Sequence, residues 1–155
     1  MSSINHHITQ RRTATRYREA TLEEMTEGGV AGPLGSALNI ITEAQYAELL
    51  ANGVAARDAD RAGLEFDPRP VVKLFTPHWY ARWLLTEIDP DSTQRAYGLC
   101  DTGDGRPYIG YVCLRDLDDV HGKFKFTITA DSHFVADKPL SVYADVAYTR
   151  GLIIT

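Results

Sequence analysis

The sequence predicts a single small α+β domain, a largely antiparallel β-sheet flanked by a few helices. Three observations carry that expectation. The 155 residues are the length of one domain and suffice for a real core without disulfide or metal staples. From Val71 to Leu114, short apolar runs alternate with turn signals, which is the pattern of an antiparallel meander. Capped amphipathic runs with helical spacing stand before and after that stretch.

The elements follow in order. Residues 1–40 read as a basic arm, carrying Arg11, Arg12, Arg16 and Arg18 and no acid before Glu19, followed by a Gly-rich linker. Within it Thr21-x-x-Glu24 has the form of a capping box that would start a short helix over Leu22–Glu27, stopped by Gly28-Gly29. A second capping box, Thr42-x-x-Gln45, opens the first main helix, expected over 42–52. Ile41 is placed there to staple onto Tyr46, and Gly53 takes the left-handed stop. Residues 54–70 turn acidic and break at Pro68 and Pro70, so they read as a connector, with a frayed helical extension through Arg61.

Strands are expected near 71–76, 82–88, 95–100, 108–114 and 124–129. In the second, alternation puts Trp83 and Leu85 on one face and Leu84, Thr86 and Ile88 on the other. Asp89-Pro90-Asp91-Ser92 and Asp104-Gly105 are turn sequences. Arg115–Val120 reads as a helical turn closed by Gly122. Phe124, Phe126 and Ile128 alternate with polar residues as a half-buried strand. Pro139 sits well at the first position of a last helix over 139–149, with Leu140, Tyr143 and Ala147 as its packing stripe and Gly151 at its end. The domain proper spans 41–150, and residues 151–155 form a C-terminal tail, of which Leu152–Thr155 either pack or trail.

Composition narrows function mainly by exclusion. A net charge of −5 argues against sequence-independent binding to a phosphate backbone. Residues 41–122 carry the acidic surplus, so the body is mildly acidic and its arm basic. Cys100 and Cys113 both sit in strand-like runs and read as free thiols. Residues 2–18 hold no apolar signal core, and no apolar run approaches the ~18 residues of a membrane span. The expected setting is cytoplasmic and reducing, with no membrane contact.

Several side chains are candidates for chemistry. Glu87, alternating with Trp83 and Leu85, would be an acid beside an indole, a setting that raises a carboxylate pKa and suits a general acid. The bland alternative is an open-face carboxylate, or one paired with Arg82 or Lys73. Asp131-Ser132-His133 places an acid beside an imidazole, but a triad needs convergence that adjacency does not supply, and Asp131 also reads as a turn former. Asp101 completes the weak catalytic set. No His/Cys spacing of the zinc type occurs, and the Gly-Asp-Gly turn lacks the ending of a phosphate loop, so neither metal nor cofactor is expected. Of the crowded aromatics, Trp79 and Tyr80 in the turn after Pro77, and Tyr108 at a loop edge, are expected exposed. With Asp101, Asp104 and Asp118 they form the candidate binding set.

The segments VVKLFTP, WLLTEIDP, AYGLCDTG, GYVCLRDL, DSHF and KPLSVYA, in that order and preceded by ITEAQYAELLANG, resemble the domain of unknown function 2958. The resemblance covers roughly Ile41 to Ala147. It implies a small α+β domain with a central antiparallel sheet, carried on plasmids, phages and integrated mobile elements, with no established activity. Two stretches depart from the family pattern. Tyr108-Ile109 stands where an acidic residue and Leu are expected, and GKFKFTIT replaces a Gly-Pro-Leu-Gly-like loop.

Three functional classes follow. The first is a non-enzymatic inhibitor that binds a host protein complex and blocks a defence component, of anti-restriction or anti-CRISPR type. The second is a nucleic-acid accessory module using the basic arm and aromatic residues. The third is a small hydrolase-like enzyme using Glu87, Asp131 and His133. The first is the expectation carried forward, because motif-free acidic domains with protruding aromatics suit interfaces.

Overall fold

The computed structural model describes residues 40–117 and 128–155. Among them the elements run α1 (Glu43–Ala62), β1 (Val72–Phe75), β2 (Arg82–Asp89), β3 (Ser92–Asp101), β4 (Tyr108–Cys113), β5 (Thr129–Ala130) and α2 (Leu140–Arg150). Residues 114–117 are helical as well. The strands form one antiparallel sheet in the order β4-β3-β2-β1-β5. The first four are the expected meander, and the chain then crosses to the β1 edge to add β5. The fold is α+β, as its sequence implies. The expectations for residues 1–39, for Asp118 and for positions 124–127 of the last strand lie outside the described residues.

α1 begins as the sequence indicates. Thr42 N–H donates to Gln45 Oε1 at 3.0 Å and Gln45 N–H to Thr42 Oγ1 at 3.1 Å, so both arms of the capping box form. Ile41 is buried and Tyr46 packs on the same cluster. Its end differs from expectation. The helix passes through Gly53 and stops ten residues later at Gly63, whose φ of 68° is the left-handed cap. Gly53 is a close-approach residue instead. A Cβ there would stand 1.8 Å from the Ile88 carbonyl oxygen on β2, so only glycine lets the helix lie this near the strand.

The second difference is in β2. Its pairing with β3 shifts between Leu85 and Glu87, where Thr86 bulges out of register. Trp83 and Leu85 belong to the α1-facing cluster, and beyond the bulge so does Ile88, which strict alternation assigns to the other face. Glu87 is turned the opposite way, directly across from Tyr97 of the α2-facing cluster. The bulge is stitched on both sides. Thr86 Oγ1 donates to Tyr97 O at 3.2 Å, and Asn52 of α1 donates through Nδ2 to Thr86 O at 3.0 Å.

The sheet therefore has two covered faces. α1 packs Leu49 against Val72, Leu74, Trp83, Leu85 and Ile88. α2 packs Leu140, Tyr143, Ala144 and Ala147 against Leu84, Tyr97 and Leu99. Pro139 is the N-cap of α2 rather than its first residue, and it offers no capping side chain. The cap comes from the connector: Asp67 accepts both the backbone N–H and the hydroxyl of Ser141, and Pro68 O accepts the Leu140 N–H. Residues 152–155, expected as a tail, are packed down as a strap over the α2 face. Ile153 is fully buried, its N–H donating to Asp101 and its carbonyl accepting from Arg82; Lys73 Nζ reaches Thr155 Oγ1 at 2.7 Å.

Candidate functional site

The antiparallel meander puts the β1–β2 turn and the β3–β4 loop at one end of the sheet, where Arg82 pairs with Asp101. This end gathers the exposed aromatics. Trp79 is 51% exposed and Tyr80 76%, both in the turn after Pro77. The turn is held firmly: Thr76 N–H donates to Ala81 O at 3.1 Å, Trp79 N–H to Thr76 O at 3.2 Å, and the Trp79 indole N–H to Thr102 O at 3.3 Å. Gly103, with φ of 85°, is where the indole leans on the loop; a Cβ there would sit 2.7 Å from Trp79 Nε1. Tyr108 is also exposed and lies over Gly110 on the edge strand β4. Leu152 and Ile154 of the strap stand exposed beside this end.

Of the acids expected to share in binding, Asp118 lies outside the described residues and the other two differ. Asp101 is buried and accepts the Gly103 N–H at 2.9 Å and the Ile153 N–H at 3.2 Å. Its carboxylate is a structural clasp between loop and strap, and it is closed to a partner. Asp104 is exposed, with one oxygen accepting the Arg106 backbone N–H at 3.1 Å.

Glu87 lies at the opposite end. From Arg82 to Glu87 is five residues of β2, roughly 15 Å at strand rise. Glu87 is buried at 4% exposure, but the Thr86 bulge takes it away from Trp83, so the expected acid-beside-indole setting does not exist. It lines a cleft of about 150 Å³ with Arg57, Asp60, Asp89, Asp91 and Tyr111. Arg57 bridges to Asp91 at 2.9 Å while its Nε is buried without a partner among the described residues. Arg95 stands 3.5 Å from Asp89 and stacks over Tyr111 at 4.2 Å, and Tyr111 meets Tyr97 edge-on at 5.1 Å.

Asp131 and His133 are elsewhere again, just past β5 at the sheet edge. Asp131 accepts the His133 backbone N–H at 3.0 Å and pairs with Lys73 at 3.2 Å; the His133 side chain is exposed. These two contacts hold the Asp131 carboxyl below its ordinary value, the backbone N–H first and Lys73 next. The contact is a turn closure, with the imidazole left out of it. Glu87, Asp101, Asp131 and His133 thus occupy opposite ends of β2 and the far sheet edge, and no arrangement of acid, base and nucleophile unites them. Among the described residues no group of three or more His, Cys, Asp or Glu side chains is placed to hold a metal ion.

The family described as protein of unknown function (DUF2958) matches residues 40–154. The chain belongs to that family. No curated protein and no solved structure matches it. The span that makes it a DUF2958 member contains β1 to β5, α1, α2 and all of the strap except Thr155. The resemblance visible in the sequence stops near Ala147, but the family span extends through the buried Ile153. No helix among the described residues of this DUF2958 protein is long and apolar enough to cross a membrane.

Three groups at these sites escape a reading of the sequence. Arg57 and Tyr111 reach the cleft only because α1 runs past Gly53 and because β4 pairs with β3 in one particular register. Arg106 and Arg150 flank the aromatic end, one from the loop and one from the end of α2, where a Cβ on Gly151 would stand 3.4 Å from the Gly105 carbonyl oxygen. Leu152, Ile153 and Ile154 are all apolar, so the sequence carries no alternation to show which of them is buried, and four residues are too few to separate a packed strap from a trailing tail.

Proposed function

We propose that this protein acts by stoichiometric binding to a host protein complex, blocking a defence component in the manner of an anti-restriction or anti-CRISPR protein. The observation that carries the reading is the pair Trp79 and Tyr80, 51% and 76% exposed on a turn fixed by hydrogen bonds at both ends. Large aromatics held rigidly in water cost little entropy to bury, and they dominate protein interfaces. The plasmid and phage setting implied by the family resemblance supplies the host-defence side of the proposal.

The test is co-expression with a defined restriction or CRISPR system, scored by phage plating. Wild-type protein should restore plating, with an effect that saturates when its copy number matches that of the target. Tyr80→Ala and Trp79→Ala should lose the effect while keeping the fold by circular dichroism. Full protection at copy numbers far below the target points to catalysis and overturns the proposal. So does a mobility shift with bare DNA or RNA at physiological salt that disappears when residues 1–18 are deleted.

A further inference from the structure

Resting on that docking reading, we infer that the aromatic end of the sheet fits a carboxylate-rich protein surface, with Trp79 and Tyr80 as apolar anchors and Arg106 and Arg150 as the charge contacts. The inference reverses the sign expected from the acidic loop, and it comes from where charges are paired. At the hairpin end Arg57 is bridged to Asp91, Arg95 to Asp89 and Arg61 to Asp58. At the aromatic end Arg106 and Arg150 are both exposed, and neither forms an ion pair among the described residues. Asp101 at the same end is buried and spent on two backbone N–H groups. That leaves Asp104 as the single exposed carboxylate of the loop against two exposed arginines. Of the two ends of the sheet, as far as the described residues go, the aromatic end of this molecule of net charge −5 is therefore the less acidic, and an acidic partner is steered to it.

A protein surface suits this end better than a nucleic acid strand. Leu152 and Ile154, each 44% exposed, flank the aromatics and have no face on which a base can stack, whereas aliphatic side chains at the margin of an interface exclude water from aromatic anchors. The overall negative charge also repels a phosphate backbone.

Trp79 supplies the readout, because Trp83 is buried at 4% exposure and the chain has two tryptophans. The probes are a Glu-rich peptide carrying two leucines, its Lys-for-Glu counterpart, and a short oligothymidylate, each titrated at low salt while tryptophan emission is followed. The expected result is a blue shift with the Glu-rich peptide alone, weakening as salt rises. Arg106→Glu with Arg150→Glu should weaken that binding about tenfold or more. Asp104→Asn, which keeps the oxygen that accepts the Arg106 N–H but removes the charge, should tighten it. No shift with the Glu-rich peptide, a shift with the Lys-rich one, or a shift with oligothymidylate overturns the inference. So does unchanged affinity in both charge variants. Phage plating fails independently: an intact peptide response without protection would cost the defence proposal and leave this inference standing.

Discussion

Cys100 has no exposed surface, and burial pushes its thiol up to about 12, with the hydrogen bond from Tyr108 offsetting only part. At pH 8 roughly one part in ten thousand would be thiolate. Cys113 is half-buried, and pairing of Cys100 with Tyr108 but of Cys113 with Arg95 puts the two sulfurs at opposite ends of the β3–β4 ribbon, too far apart for a disulfide. Alkylation of native protein should modify Cys113 alone, with Cys100 reacting only after denaturant is added; mass spectrometry of the digested product reads this directly. Asp131 gives a pH signature. Its folded pKa is held below the unfolded value by the His133 N–H and then by Lys73. The stability this confers is therefore present above about pH 4 and lost as pH falls through the folded value. Asp131→Asn keeps the turn acceptor and loses the Lys73 pair. It should cost about 0.5 to 1 kcal/mol at pH 7, and in urea melts the wild type should approach the variant as pH falls from about 4 through the depressed folded value.

Among elements, α1 and β2 show how far sequence carries and where it stops. The capping box at Thr42 and Gln45 is local, a matter of four adjacent residues, and it is readable. Gly53 is not, because a glycine after an apolar stripe looks the same whether it ends a helix or permits contact; only the position of Ile88 on another element decides. Replacing Gly53 with Ala makes the distinction measurable. Helix propensity alone would favour alanine by about 1 kcal/mol, but the added methyl collides with the Ile88 carbonyl. The net result should be destabilisation of about 1 to 3 kcal/mol, seen as a lower midpoint in thermal unfolding. The Thr86 bulge is equally invisible, since no residue type marks it, and without it the faces of Glu87 and Ile88 come out inverted. Asn52→Ala removes the donor to Thr86 O and should cost about 1 kcal/mol. Trp83→Ala and Leu85→Ala, at positions 4% and 0% exposed, should each cost about 2 to 5 kcal/mol.

For the whole molecule, the meander, both helices and the exposure of Trp79, Tyr80 and Tyr108 are legible because each depends on period and turn chemistry within a short window. What is not legible depends on which segments meet. Asp101 offers itself as a surface acid, and its burial follows from a strap fifty residues away. The sorting of charge between the two ends of the sheet likewise needs the register of β3 against β4 and the landing point of α2. Ile153 is the residue where these long-range terms converge. Ile153→Ala should lose about 2 to 5 kcal/mol in urea melts.

The strap also sets an order of events during synthesis. Its three polar contacts span 52, 71 and 82 residues of chain, and such distant partners meet late. The meander can pair while translation continues, but Asp101 stays open to water, without the Ile153 N–H, until residue 153 has joined the fold. A nascent chain with nothing beyond Gly151 outside the tunnel should therefore remain open to protease, and one with residues 152–155 emerged should resist it.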